Sequence, residues 1–486
     1  MRAKVVLHML GSLLIFLGLF KIFPLVWAVY YQENEVMTFL SCIIITLAFG
    51  VFFRGIGEYL EDITLKESFA LVTFGWILAA LFGSLPFYLS GALPSYIDAY
   101  FEAMSGFSTT GATVIDDVES LGYGLLFWRS MTQWLGGMGI IALFVAVLPR
   151  LGGGSHLFRA EIPGPVKERI VPRIAQTAKI LWLIYFIITG LQFIFLLLSG
   201  LTVFESLTHS FTTMATGGFS TRNESIAAFN NPMTEVVIIV FMLMAGINFS
   251  LYYALYRGNV KSFIKDFELR FYLAFLLAVS LVVSWYLFTF TYGNVFESLR
   301  HGFFQVVSIS TTTGFATADY DQWHPMLRSI IFFLQFTGGS GGSTAGSIKQ
   351  IRLLVVFKVV LREINRLVHP RAVLPIRLGD KLVSDRVVSS ILAFVLMYIL
   401  IFIFGSLFMT CLGIDMVSSF SAVAATLGNV GPGLNLVGPL NTYSFIPPAG
   451  KILLSMLMLI GRLEIYTVMV LLVAFVSRKT FRISYK

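Results

Sequence analysis

Charge is scarce in this chain: Asp, Glu, Lys and Arg make up 12% of 486 residues, against 57% for the apolar types. That ratio excludes a disordered chain and a water-soluble domain, both of which need far more polar surface. Several large buried-core domains are excluded for the same reason. Cysteine is nearly missing. Cys42 and Cys411 both lie inside apolar runs without metal-ligand spacing, so they read as packing residues with no redox inference. None of the six histidines pairs with a second ligand at metal spacing, and His209 and His301 read as hydrogen-bonded structural residues. No Lys-Ser or Lys-Thr follows a glycine at P-loop spacing. Gly338-Gly339-Ser340-Gly341-Gly342 formally fits the nucleophile-elbow pattern, but it interrupts an apolar helix with no strand before it. An intramembrane enzyme is therefore a remote reading, and the chain is read as a non-enzyme.

What the chain has is apolar length. Ten long apolar segments fall at about 5–31, 36–57, 68–90, 123–148, 177–199, 233–256, 270–292, 325–347, 387–412 and 448–476, near the ~20 residues that a spanning helix needs. The first is too long for a signal peptide, and Lys21-Ile22-Phe23-Pro24 is no small-residue cleavage site, so it reads as a retained helix. The formal charge of +8 does not point to nucleic acid, because the basic residues gather in alternate loops. They occupy 149–179 (Arg150, Arg159, Lys167), 257–270 (Arg257, Lys261, Lys265), 349–386 (Lys349 to Arg386) and the tail (Arg478 to Lys486). Acids mark the opposite loops: Glu33 and Glu35, then Asp116, Asp117 and Glu119, then Asp319 and Asp321. The asymmetry predicts a multi-pass protein with both termini and all basic loops in the cytoplasm.

Between the members of four successive helix pairs lies a shorter, semi-polar segment, at about 97–113, 203–220, 296–316 and 415–432. Each offers about 12 helix-compatible residues, ~18 Å of helix, too short for a ~30 Å hydrocarbon core. They read as re-entrant half-helices, and irregular backbone at such depth is tolerated only where it is buried or lines a cavity. Their ends align: Ser108-Thr109-Thr110-Gly111, Ala215-Thr216-Gly217-Gly218, Thr311-Thr312-Thr313-Gly314 and Gly428-Asn429-Val430-Gly431. The following helices repeat as well, Gln133-Trp134-Leu135-Gly136-Gly137 matching Gln335-Phe336-Thr337-Gly338-Gly339. Four glycines in register suit one pore: backbone carbonyls replace an ion's water shell, and glycine supplies the positive φ that turns them inward. The filter loops carry no acid, so selectivity would rest on carbonyls, with the half-helices aiming their negative C-terminal ends at the ion path.

At these residues the chain resembles the Trk/Ktr/HKT potassium-transporter superfamily in its TrkH branch. The resemblance implies an all-α polytopic membrane protein of four helix–pore helix–helix repeats with pseudo-fourfold symmetry around one pore, plus an N-terminal helix pair. Its divisions would be 1–66 for that pair, then repeats at 67–170, 171–265, 266–380 and 381–486. It implies potassium uptake across the bacterial inner membrane, with K+ as the transported ion bound at Thr110, Gly111, Gly217, Gly218, Thr313, Gly314, Val430 and Gly431. Thr109, Thr216, Thr312 and Asn429 would flank these residues. The fourth repeat departs most, with Asn429-Val430 in place of a threonine pair. The glycine-rich break 337–347, with Gly338, Gly339, Gly341, Gly342 and Gly346, resembles the family's intramembrane gating loop, and Lys349 lies at its cytoplasmic end. Arg462 would stand below the filter as an electrostatic barrier, and an internal ion pair with Glu464 or another acid is the alternative reading, compatible with the first. Arg129 and Arg328 read as interfacial or filter-bracing. The family further implies a homodimer and a cytosolic TrkA-type regulatory subunit, through which alone a nucleotide acts. Channel-like flux is the first reading. An H+- or Na+-coupled symporter on the same scaffold is the alternative, and the acids Asp98, Glu102, Glu205, Glu297 and Asp415 near the pore-helix starts bear on it.

Overall fold

The computed structural model describes residues 2–60, 64–139, 174–372, 374–379 and 381–471. The basic stretch around Lys167 and the tail from Arg478 lie outside the described residues. The regular structure described is helical apart from a two-residue antiparallel ladder, Arg377–Leu378 with Lys381–Leu382, and one isolated bridge between Thr337 and Ile348.

Six described helices are long and apolar enough to cross a membrane: Ala3–Tyr30, Val36–Ile56, Lys66–Leu89, Lys179–Leu198, Phe267–Tyr292 and Asp385–Cys411. They correspond to the leading pair and to the first helix of each repeat. Of the other four expected spans, the second helix of each repeat, three are interrupted, and in repeat one the α-helix gives way to a π-helical turn where the described residues end. Tyr123–Trp134 passes into a π-helical turn, Leu135–Gly139. Pro232–Ala245 and Phe249–Tyr256 form one span bent by 89°. Pro325–Leu334 ends in irregular chain that becomes helical again only at Gln350–Val368. Pro448–Arg462 stops at a turn in which Glu464 and Ile465 take φ of 56° and 46°. Glycine stands at or beside each break (Gly136-Gly137, Gly246, Gly338-Gly339, Gly461), where helix propensity is poorest among residues other than proline.

The four half-helices are Tyr96–Phe107, Val203–Met214, Val295–Ser310 and Met416–Leu427. Three have a side-chain N-cap: Thr202 accepts from Glu205 N, Asn294 from Phe296 N and Asp415 from Ser418 N. The leading pair packs backbone to backbone, as small residues allow in a membrane: a Cβ on Gly50 would reach Ile15 N at 2.9 Å and Gly11 O at 3.0 Å. Lys21, at the joint between Ala3–Phe20 and Ile22–Tyr30, is fully buried and ties this pair to the first repeat. Its ammonium donates to Thr46 Oγ1 (2.7 Å) and to Phe82 O (2.9 Å).

Candidate ion path and intramembrane loop

Each half-helix ends in the same cap. Thr109, Thr216, Thr312 and Asn429 all take a left-handed φ, at 55°, 53°, 59° and 54°. Their N–H groups bond three residues back, to Gly106, Thr213, Ile309 and Thr426 O. The next N–H groups, of Thr110, Gly217, Thr313 and Val430, bond five residues back, to Ser105, Thr212, Ser308 and Ala425 O, at 2.8–2.9 Å. This is the Schellman arrangement, which satisfies orphan helix carbonyls and turns the chain sharply out of the helix axis. Glycine usually fills the left-handed position, and asparagine sometimes does. Asn429, the residue by which the fourth repeat departs from the others, thus adopts the same backbone conformation as the three threonines.

Two residues on, Gly111, Gly218, Gly314 and Gly431 also have positive φ, at 86°, 76°, 81° and 102°. Their missing side chains place the four loops around one axis. A Cβ on Gly111 would strike the carbonyl oxygen of Gly217, on Gly218 that of Thr313, on Gly314 that of Val430, and on Gly431 that of Thr110. The order of contacts is repeat one to two, two to three, three to four and four to one, so the ring closes. The carbonyls of Thr110, Gly217, Thr313 and Val430 are thereby brought to equivalent positions.

Further bonds fix the ring from outside. Gln133, on the second helix of repeat one, grips the second loop, donating from Nε2 to Gly217 O (2.6 Å) and accepting from Phe219 N (3.0 Å), and its counterpart Gln335 donates to Pro432 O (3.2 Å) in the fourth. Tyr320 OH donates to Gly433 O, Tyr443 OH to Gly431 O and Tyr443 N to Thr113 O. Arg129 is buried against Glu102 (2.7 Å), donates to Ser220 O (2.8 Å) and lies over the Phe219 ring. Glu102 in turn accepts from Val114 N at 3.0 Å. Arg129 thus ties the first half-helix to the chain that follows the second loop. Arg328 pairs with Asp321 (3.0 Å), which also accepts from Asn435 N (2.6 Å) beyond the fourth filter loop. His209 bonds Glu205 O and Ser220 Oγ, and His301 bonds Thr317 Oγ1, so both serve as structural hydrogen-bonding groups.

The irregular chain between Leu334 and Gln350 lies directly against the ring. Gly346 N donates to Thr312 Oγ1 (2.7 Å), and a Cβ on Gly346 would meet Gly428 O and the Asn429 side chain. Gly338 N is taken by Ile348 O (2.8 Å) and Ser347 Oγ by Gln335 O (2.7 Å), so the stretch folds back on itself. Gly339 packs against Gly246 O and the Ala345 methyl, Gly341 N donates to Glu268, and Phe249 N donates to Gly342 O. Thr344 Oγ1 donates to Met214 O and Ala245 O in the second repeat, both at 3.2 Å. Arg462 donates to Thr344 O (2.6 Å) and to Gly136 O and Gly137 O (2.8 and 2.7 Å), joining this loop to the breaks of repeats one and four. Lys349 is buried and donates to Ala345 O.

The internal ion pair considered for Arg462 is made differently: Glu464 is bonded by Arg352, whose guanidinium also lies over the Phe394 ring. Most acids near the half-helix starts are engaged. Asp98 pairs with Lys451 (2.7 Å), Glu205 with Arg222, and Asp415 accepts from Asn435 Nδ2. Glu235, in the second helix of repeat two, pairs with Arg300 of the third half-helix, a tie not anticipated from the sequence.

A family model described as TrkH, cation transport protein, matches residues 33–483. The Trk system potassium uptake protein TrkH of Salmonella typhimurium is 38% identical over 477 residues, 97% of this chain and 98% of the relative. TrkG of Escherichia coli, also a Trk system potassium uptake protein, is 37% identical over 491 residues, 98% of this chain and 99% of the relative. The crystal structure of the potassium transporter TrkH from Vibrio parahaemolyticus superimposes with a TM-score of 0.88 at 35% identity, covering 97% of this chain and 99% of the other.

Proposed function

The chain belongs to the TrkH family of cation transport proteins, and from that footing we propose that it takes up potassium through the ring of filter carbonyls. The single observation that carries this reading is the closed cyclic contact of Gly111, Gly218, Gly314 and Gly431 with the carbonyls of the neighbouring loops. Rings of carbonyls can replace a potassium hydration shell without any carboxylate. The relatives' names, all Trk system potassium uptake proteins, favour potassium over other monovalent cations. The ion sites are then Thr110, Gly111, Gly217, Gly218, Thr313, Gly314, Val430 and Gly431, flanked by Thr109, Thr216, Thr312 and Asn429. The loop 337–347 is the gate in its closed position, with Arg462 adding positive charge at the same depth.

Flux is channel-like in this reading. Coupling to protons or sodium calls for an uncommitted acid in the path. Of the five acids near the half-helix starts, Asp98, Glu102 and Glu205 are each held by a cation and Asp415 by the Asn435 amide, which leaves Glu297, half-buried in the first turn of the third half-helix. The membrane is the bacterial inner membrane, with the basic loops in the cytoplasm, and the chain pairs as a homodimer above a TrkA-type nucleotide-binding subunit. The exposed basic residues Arg366 and Arg371 support a cytosolic contact at that end. The test is the reversal potential of the reconstituted protein under imposed gradients. It should follow the potassium gradient and stay fixed when a proton or sodium gradient is added, and a shift with either would favour the symporter.

A further inference from the structure

A helix ends with four carbonyls that have no partner inside it, and in a membrane each must find one. At the end of Pro232–Ala245, Met242 O is taken by Gly246 N, Leu243 O by Tyr272 OH (3.3 Å) and Met244 O by Tyr252 OH (2.8 Å). The next two go to the loop: Ala245 O accepts from Thr344 Oγ1 (3.2 Å) and Gly246 O from Ser340 N (2.9 Å). Beyond the bend, Phe249 N donates to Gly342 O (3.1 Å). The chain then runs through Phe249–Tyr256 and Val260–Lys265 to Glu268, whose Oε1 accepts from Gly341 N (2.5 Å). The N-terminus of the helix that carries Glu268 is capped by Asp266, bonded to Leu269 N at 2.8 Å, which leaves Glu268 free to turn to the loop.

Residues 340–344 are therefore held at both ends of one continuous connector, 245–268. We propose that this connector is a clamp that keeps the intramembrane loop closed, with Glu268 as its positioning residue. The inference rests on the reading of 337–347 as the gate. The Glu268–Gly341 bond is the side-chain hold that the far end of the connector has on the loop. Withdrawal of the loop also strips Ala245 O and Gly246 O of their partners, which favours closure until pore water reaches them. The connector exposes Arg257, Lys261 and Lys265, so a force applied there moves both attachment points together.

The test combines rubidium flux in proteoliposomes with thiol labelling of Ser343→Cys, in a Cys42→Ala, Cys411→Ser background. Glu268→Ala should raise flux and labelling rate about fivefold, the effect expected when one stabilising hydrogen bond is lost. Glu268→Gln, which keeps a neutral acceptor, should fall between, and the rubidium-to-sodium ratio should not change in either. A residue that only supports folding would lower flux and leave the labelling rate of the folded fraction unchanged. Deletion of 338–346 is run in parallel. If the deletion raises flux while Glu268→Ala moves neither readout, the clamp is wrong and the gate stands. If the deletion also leaves flux unchanged, the gate reading fails and the clamp falls with it.

Discussion

A β-branched residue held at positive φ costs roughly 1–3 kcal/mol, and three half-helices carry one at the point where they turn into the ring of loops: Thr109, Thr216 and Thr312. The strain persists because two cap bonds and the contact with the neighbouring loop over-determine the backbone. It leaves threonine hydroxyls where glycine would leave nothing, and that of Thr312 is the acceptor for Gly346 N. The positive φ of the four ring glycines was legible in the sequence from their register. The threonine caps were not, because propensity assigns that position to glycine or asparagine; Asn429 was the one available signal. Replacing Gly111 or Gly314 by Ser drives a side chain into the Gly217 or Val430 carbonyl. The potassium-to-sodium permeability ratio should fall by about tenfold, equivalent to ~1.4 kcal/mol of lost discrimination. Wild-type ratios at normal expression would place the filter elsewhere. Arg129→Ala leaves Glu102 buried without its cation, a change that costs about 3–5 kcal/mol. The detergent-solubilised protein should melt well below wild type, and an unchanged melting temperature would remove Arg129 from that tie.

At the scale of elements, the second helices of repeats two, three and four all depart from a continuous span within the described residues, so the breaks are not confined to one loop. Hydropathy alone concealed this, because Pro232–Tyr256 and Pro448–Leu471 read as continuous apolar runs. The bend at Gly246 arises from bonds to Ser340, Thr344 and Tyr272, residues far away in sequence, and a single glycine gives little local warning of it. The glycine-rich break at 337–347 was legible because its composition defeats a helix outright. The alternative pairing of Arg462 with Glu464 had a physical argument against it from the start, since residues two apart do not face each other on a helix. With Arg462 on the carbonyls of Thr344, Gly136 and Gly137, two changes are expected to differ in size. Deleting loop residues removes the obstruction and should raise rubidium flux strongly. Arg462→Ala removes one anchor and one repulsive charge and should raise it less. Sodium block should persist in both, and a folded loop deletion with wild-type flux would make the break a passive kink.

At the scale of the molecule, the acids that mark one set of loops act as ties across the ring instead of forming an open negative mouth. Asp116 of repeat one accepts from Thr442 of repeat four, Asp117 from Asn223 of repeat two, and Asp321 of repeat three from Asn435 of repeat four. Repeats two and three meet through Ile226 N and Ala316 O at 3.1 Å. Glu33, from the leading pair, accepts from Gly124 N (3.0 Å) and Tyr123 N, capping the second helix of repeat one and fastening the pair at that same end. At the opposite end, Arg257, Lys261, Lys265, Arg366 and Arg371 are exposed, beyond the breaks of the second helices. Basic residues beside short connections set orientation in a membrane, so this end should face the cytoplasm and the ring of acids should face outward. The two native cysteines can be removed, Cys411 being exposed and Cys42 buried. In that background a cysteine at Arg371 or Lys261 should react with a membrane-impermeant thiol reagent only in inverted vesicles. A cysteine at Glu119 or Asn230 should react only in intact cells. Agreement at all four positions requires an even number of crossings between 119 and 230, an odd number between 230 and 261 and an even number between 261 and 371. Labelling of Arg371→Cys from outside would invert the molecule and place the loop 337–347 on the outer side of the ring instead of the cytoplasmic side.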